Sequence, residues 1–299
     1  MSSVASATKV FAPPAAGRRR RRSALRRSFA AGRMRVGFAI TLLVLLVAIF
    51  GPFFAPHEPS AILGLPAQGP TGAFPFGTDA LGRDVLSRVL WGGRSVVWMS
   101  FAAAALGVGL GTALGMLAGY ARSWLDDALM RTLDIVLAFP QIILVLLFVS
   151  MLGDKQWLIV LLIAASWVPT AARVARGVTL EVVEREYVQA SEAIGLPRRE
   201  IIRKEVLPNI VTPMAVEFGL RLTWSIAVVA AISFLGFGIQ PPNADWGLMI
   251  SENREAVTIQ PWAMIVPTIG IALFALGTNF MTDGFARAVA RNDGAGRQG

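Results

Sequence analysis

Cysteine is absent and histidine occurs once, as His57. This excludes disulfides, thiolate metal sites, cysteine nucleophiles and any histidine-dependent triad that His57 cannot serve. Charge is scarce as well. Only 16% of the 299 residues are charged and 55% are hydrophobic, whereas an ordinary soluble domain carries about a quarter charged residues. The three lysines are Lys9, Lys155 and Lys204, and none follows a glycine. The chain therefore lacks the G-x-x-x-x-G-K-[S/T] loop that cradles nucleotide phosphates, and it is not expected to hydrolyse ATP. Acidic residues are missing from the middle of the apolar runs, with Asp134, Glu217 and Asp283 near their ends. Carriers coupled to protons or sodium place ionisable or unwound sites near the midplane, so a self-powered carrier is disfavoured. No set of catalytic groups converges at one membrane depth, which argues against a membrane-embedded enzyme. The spans offer no His or Cys ligands for a bare metal ion. Neither catalytic nor metal-binding residues are expected.

What the chain has in quantity is apolar runs of about twenty residues, enough to cross a ~30 Å hydrocarbon core. The reading is an all-α polytopic membrane protein with about six spans. The runs are about Val36–Ala55, Ser95–Ala121, Thr132–Gly153, Trp157–Ala172, Val211–Gln240 and Trp262–Thr282. The first exceeds the apolar core of a signal peptide and reads as a retained anchor, even though Arg26–Phe29, "RRSF", resembles part of a twin-arginine signal. The second carries Gly107, Gly111, Gly115 and Gly119, one glycine per helical turn, which predicts a face for close helix packing. Pro140, Pro169 and Pro267 inside later runs predict kinks.

The formal net charge of +9 is concentrated. Ten of the 28 Lys and Arg lie in residues 1–35, with no acidic residue among them, leaving 18 basic against 19 acidic residues in the rest. That is the arm the positive-inside rule expects before a first span, and no nucleic-acid partner is implied. Arg122–Arg131, Arg173–Lys204 and Arg287–Arg297 fall on the side of this arm. The bias therefore places both termini in the cytoplasm. The expected order is a basic cytoplasmic arm (1–35), a first anchor (36–55), an external loop with an interfacial helix (56–94), a core of five spans (95–285) and a cytoplasmic tail (286–299). In the external loop, Thr78 or Asp79 can cap a helix whose face is Val85, Leu86, Val89 and Leu90. Glu217 and Arg221 are spaced for an i,i+4 ion pair.

Within the core, residues 180–208 read as a polar helical hairpin. A first helix is expected over Leu180–Ile194, ended by Gly195 in the left-handed conformation. Pro197 opens a second helix that stops before Pro208. Its Ile201, Ile202 and Val206 form an apolar strip that needs a cover, from this chain or a partner. A helix-turn-helix for DNA is disfavoured because spans pin both ends of the hairpin.

The stretch "QASEAIGLPRREIIRKEVLPN" resembles the coupling motif of ABC importer permeases. Gln189, Ala190 and Ser191 stand at its Glu-Ala-Ala positions, Glu192 follows, Gly195 matches its glycine and Leu207-Pro208 its Leu-Pro. Gln189 and Ser191 depart from the consensus, as does Glu205 at its isoleucine position; the spacing is intact. "FGTDALGRDVLSRVLWG", with Gly77, Thr78, Asp79, Gly82, Arg83 and Asp84, is similar to the segment after the first span in the C-type subunit of dipeptide, oligopeptide and nickel importers. "DIVLAFPQIIL", "EREYVQAS", "SFLGFGIQPPNADWGLMI" and "TDGFARA" follow in the same order. The resemblance implies a type I importer permease in a bacterial inner membrane, working with a homologous second permease, two cytoplasmic ATPase subunits and an extracytoplasmic substrate-binding protein. ATP and Mg would sit on the ATPases, with no cofactor in this chain. It implies di- or oligopeptides as cargo, or else nickel chelates, glutathione or other small solutes. An ATP-independent channel or scaffold is the alternative from another class.

Overall fold

A computed structural model describes residues 32–121 and 123–295. Most of the basic arm, residues 1–31, and the last four residues of the tail lie outside the described residues. The elements are α1 (Gly32–Phe54), α2 (Val85–Ala121), α3 (Trp124–Leu137), α4 (Gln141–Leu152), α5 (Gln156–Val183), α6 (Glu186–Ala193), α7 (Arg198–Ile201), a π-helical turn (Ile202–Val206), α8 (Leu207–Phe234), α9 (Trp246–Glu252) and α10 (Trp262–Ala295). Among the described residues the only β pairing is two isolated bridges, Ile62 with Arg83 and Thr78 with Asp84. Five helical segments are long and apolar enough to cross a membrane, or six if the bent pair α3–α4 counts as one span. The all-α polytopic reading holds.

Several boundaries differ from expectation, each for a physical reason. The expected interfacial helix and the second span are one continuous helix of 37 residues, about 55 Å long at ~1.5 Å per residue. Neither Thr78 nor Asp79 caps it. Asp84 does, accepting from the amides of Leu86 (3.3 Å) and Ser87 (3.1 Å). The third span is broken, with α3 and α4 meeting at 79°. Pro140 at this break is exposed, whereas Pro169 and Pro267 are buried inside uninterrupted helices. Packing on a buried proline offsets its lost hydrogen bond; at Pro140 no such packing opposes the break. The fourth span runs on to Val183, so the first hairpin helix is only Glu186–Ala193. At the other arm the chain does not stop before Pro208. The π turn relaxes the helix where proline offers no N–H, and α7, the turn and α8 form one apolar segment over Arg198–Phe234, short of the expected Gln240.

The bundle centres on α2, α5 and α8, with Val96 and Met99 meeting Ile159, Ile163, Ile226 and Ile232, closed by Trp246 of α9 and Phe274 of α10. A Cβ added to Gly107 would lie 2.8 Å from the Ala164 carbonyl. One added to Gly111 would lie 2.6 Å from Ala171 Cβ, and one on Gly119 3.0 Å from the Arg176 carbonyl. Gly115 likewise leaves no room beside Ala172. All four glycines thus face α5 at backbone contact distance. A second close crossing, between α1 and α10, rests on Gly37, Gly277 and Gly284; Gly277 and Gly284, seven residues apart, share one face of α10, a spacing that sequence reasoning did not use. Leu43, Ile49 and Phe53 of α1 are exposed, a surface suited to lipid.

Candidate functional site

The hairpin is built from breaks in otherwise long helices. α5 ends at Val183 with Glu184 as its C-cap, and Arg185 takes an extended conformation (ψ 140°) that turns the chain into α6. Gln189 donates from Nε2 to the carbonyl of Glu184 at 3.3 Å, satisfying a group freed by that break. Gly195 then adopts φ +80°. The Leu196 amide reaches the Ser191 carbonyl (3.2 Å) and the Gly195 amide the Glu192 carbonyl (3.0 Å). This is the paired 6→1 and 5→2 pattern of a Schellman cap, and it requires the left-handed residue that glycine supplies. Pro197 sits one position before the second arm, as its N-cap.

Most of the apolar strip on the second arm is covered by the chain itself. Ile201, Val206 and Ile210 are buried with Ala175, Val182, Val188 and Met214. Sequence reasoning had left a partner open as the cover for the strip of Ile201, Ile202 and Val206; the bundle covers Ile201 and Val206, while Ile202 is half-buried and lines an open cleft beside α2. What projects instead is the tip, where Ile194 is 76% exposed and Leu196 is exposed beside it. Ala190, Leu207 and Pro208 are also exposed, and Ser191 bonds back to the Tyr187 carbonyl at 3.0 Å.

Side-chain hydrogen bonds tie the hairpin to the long helices. Tyr120 of α2 donates to Glu192 Oε1 at 2.8 Å. Asn209 of α8 donates from Nδ2 to Tyr187 Oη at 3.1 Å and to the Glu205 carbonyl at 2.6 Å. Burial pushes the Tyr187 phenol up, opposed by the charge of Arg185. Sequence reasoning missed these ties. A signal existed, since the chain has two tyrosines and both belong to the hairpin contacts.

At the opposite end of α2, the 77–84 loop folds into a cap. Gly77 (φ +74°) and Gly82 (φ +82°) turn it, and each faces a neighbour too closely for a Cβ. Thr78 donates to the Leu65 carbonyl at 2.6 Å. Asp79 receives Arg83 Nε at 2.6 Å. Glu252, at the end of α9, accepts from Arg83 and from Arg88, each at 2.7 Å, and Arg88 Nε stands 3.5 Å from Asp79. Two carboxylates and two guanidiniums, Arg88 fully buried, thus balance one another. Asp84 meets Ser87 (2.5 Å) and His57 Nδ1 (3.3 Å). Trp246 of α9 lies against Gly92, Gly93 and Gly270, its indole N–H donating to the Val89 carbonyl at 2.9 Å. Pairing with Glu252 lies beyond local sequence reading, because α9 is more than 160 residues away.

Between these ends, Glu217 and Arg221 pair at 2.6 Å, and Arg221 stacks over Trp167 at 5.0 Å. Among the described residues no group of three or more His, Asp or Glu gathers as a metal site.

Residues 111–291, which contain the hairpin and α9, match the family described as the binding-protein-dependent transport system inner membrane component. The chain belongs to this family. Residues 22–70, a stretch that contains α1, match the N-terminal transmembrane domain of oligopeptide transport permease C. Similar permeases include the dipeptide transport system permease protein of Alkalihalophilus pseudofirmus, 36% identical over 259 residues, covering 85% of this chain and 84% of the relative. The glutathione transport system permease protein of Pectobacterium atrosepticum is 34% identical over 250 residues, 83% of each chain. The probable D,D-dipeptide transport system permease protein of Escherichia coli is 36% identical over 246 residues, 82% of this chain and 83% of the relative. The binding-protein-dependent permease is thus a multi-pass inner-membrane protein, with the hairpin joining two of its long helices and the ion cluster sealing its other end.

Proposed function

We propose that this permease forms half of the translocation path of an ATP-driven importer of di- or oligopeptides, and that its hairpin receives the motion of the ATPases. The observation that carries the reading is the hairpin's two-part construction. Its root is buried against α5 and α8 through Val188, Ile201, Val206 and Ile210, while its tip exposes Ile194 next to the capped Gly195. A displacement applied at such a tip passes into both long helices, because a packed root moves as a unit. A homologous second permease supplies the other half of the path. Two ATPase subunits, which hold ATP and Mg, bind the tips, and a substrate-binding protein docks at the cap end. Both chain termini then lie on the ATPase side, in the cytoplasm. The peptide cargo is supported by the dipeptide and peptide relatives; glutathione is the second reading, supported by a relative at 34% identity.

The test is a mild-detergent pull-down of the tagged chain from its native membranes, scored for ATPase subunits, with Gly195→Arg as the altered tip. The expected result is recovery of the ATPases and a second permease with the native chain and loss of the ATPases with the variant. Recovery of the native chain alone, under conditions that preserve other complexes, sinks the ATP-driven reading in favour of a channel or scaffold. Competition of labelled-dipeptide uptake by unlabelled glutathione separates the two cargoes.

A further inference from the structure

We propose that the cleft between α2 and the second arm of the hairpin holds one anionic phospholipid from the leaflet on the hairpin side. The cleft measures about 510 Å³, within the ~300–1,000 Å³ range of small-molecule sites. Its apolar wall is Leu117 and Ala121 at the end of α2 and Leu207 at the start of α8, and its rim carries Arg198, Arg199 and Arg203. All three arginines are exposed and form no ion pair among the described residues. The neighbouring cations do: Arg185 pairs with Glu181, and Lys204 with Glu200. Three free guanidiniums around an apolar floor fit a ligand that is anionic at one end and hydrocarbon at the other.

The floor does not end at the cleft. Leu106, Leu110 and Leu117 are all exposed, and offsets of four and eleven residues place them on one face of α2. That stripe rises about 16 Å from the arginine rim, matching half of a ~30 Å hydrocarbon core. An acyl chain laid along the leucines puts its phosphate among the arginines, at the depth where basic side chains meet anionic headgroups. An acidic surface on a protein partner could meet the arginines, but it would leave the leucine stripe uncovered. The hairpin tip, Ile194, lies outside this cleft's lining.

The experiment is native mass spectrometry of the purified full chain, without ATPase subunits, offered phosphatidylglycerol or phosphatidylcholine in equal amounts. One retained phosphatidylglycerol is expected, favoured over phosphatidylcholine by roughly tenfold or more. The combined Arg198→Gln, Arg199→Gln and Arg203→Gln variant should lose that preference. Leu117→Trp, which fills the cleft and keeps every charge, should lose retention itself. Three outcomes each overturn the lipid site. The first is equal retention of the two lipids by the native chain. The second is displacement of phosphatidylglycerol by soluble glycerol 3-phosphate as readily as by short-chain phosphatidylglycerol, which makes the site one for free phosphate. The third is a triple variant that keeps phosphatidylglycerol but loses ATPase subunits in the pull-down, which makes the arginines a protein contact. No arm of the lipid measurement uses Gly195 or ATP, so its failure and the failure of the coupling reading are distinguishable.

Discussion

The two ends of α2 are stabilised by different physics. At the cap end, Arg83, Arg88 and Asp79 are buried and Glu252, largely covered, reaches them from a distant part of the chain. At the hairpin end, the ion pairs Glu181–Arg185 and Glu200–Lys204 are local and largely exposed, and the backbone turns through Arg185, Gly195 and a π segment within about twenty residues. A buried, balanced ion cluster tolerates little displacement, because moving any one member uncovers a charge. Exposed pairs and short helices cost little to rearrange. The contrast bears on the coupling proposed above: the cap is the end of a long rod that resists displacement, and the hairpin is the end that costs less to rearrange.

The largest expected effect is at the cap. Glu252→Leu leaves Arg83 and Arg88 sharing Asp79 in a buried site, and should cost about 3–5 kcal/mol. The measurement is thermal unfolding of the purified full chain in detergent. The hairpin counterpart, Glu200→Leu, should change stability by no more than about 1 kcal/mol, because Lys204 is exposed. Similar losses at both positions would erase the contrast. Replacing all four members of the cap cluster with apolar residues of matched size should cost less than Glu252→Leu alone, since no charge is then stranded.

Next comes the rod that joins the two ends. Gly111→Leu places a side chain where even a Cβ meets Ala171 and the Val168 carbonyl at 2.6–2.7 Å. It should cost about 1–3 kcal/mol by overpacking. Gly109, with nothing within 4 Å of an added Cβ, is the control on the same helix, and Gly109→Leu should be nearly neutral. A Gly111 variant as stable as the Gly109 variant would mean that α2 and α5 can separate freely, and the rod would not be rigid.

At the hairpin tip the substituted residue matters more than its bulk, because a Cβ at Gly195 meets nothing within 4 Å. The cost is conformational, about 1–2 kcal/mol for a β-branched residue held left-handed. Gly195→Val should therefore uncouple substrate-stimulated ATP turnover in the assembled importer, while Gly195→Asn, a residue type that tolerates this conformation, should retain most of it. Equal loss in both variants would show that the tip acts by contact with its partner rather than by its cap geometry.

The legible part of this molecule is what short-range pattern encodes. Four glycines at helical spacing marked the α2 face, the glycine at 195 marked a left-handed cap, and the i,i+4 spacing of Glu217 and Arg221 marked their pair. The helix boundaries were less legible because packing overrules local signals. Buried Pro169 leaves its helix intact while exposed Pro140 breaks one, and Pro208 is carried through by a π turn that no residue pattern announces. The cap was least legible. Asp79, Arg83 and Asp84 stood out as a motif, but Glu252, Asn253 and Gln260, which hold the loop through its backbone and its arginines, are polar residues of an unremarkable stretch. Their role comes from tertiary proximity, which one-dimensional periodicity does not contain.

The smallest expected effect tests the cap from a different direction, through pH. Asp245 caps α9, receiving the Leu248 amide at 3.0 Å and the hydroxyl of Ser95. It is fully buried, and burial pushes its carboxyl above the ordinary value of 3.8, against hydrogen bonds from Ser95, Leu248, Ser233 and Gly247 that pull it down. The folded chain therefore binds this proton more tightly than the unfolded chain. Stability from this group is greatest below pH ~4, where the proton is held in both states, and falls as pH rises until the folded carboxyl too has ionised. Asp245→Asn should flatten the decline while keeping the cap hydrogen bonds that an amide oxygen can accept, and denaturation midpoints measured across pH 4–8 read the difference. An unchanged slope in the variant would mean that the buried carboxylate is ionised throughout that range, with its four donors outweighing burial, and the cap would then hold a net charge that the Asp79–Arg83–Arg88–Glu252 cluster does not cancel.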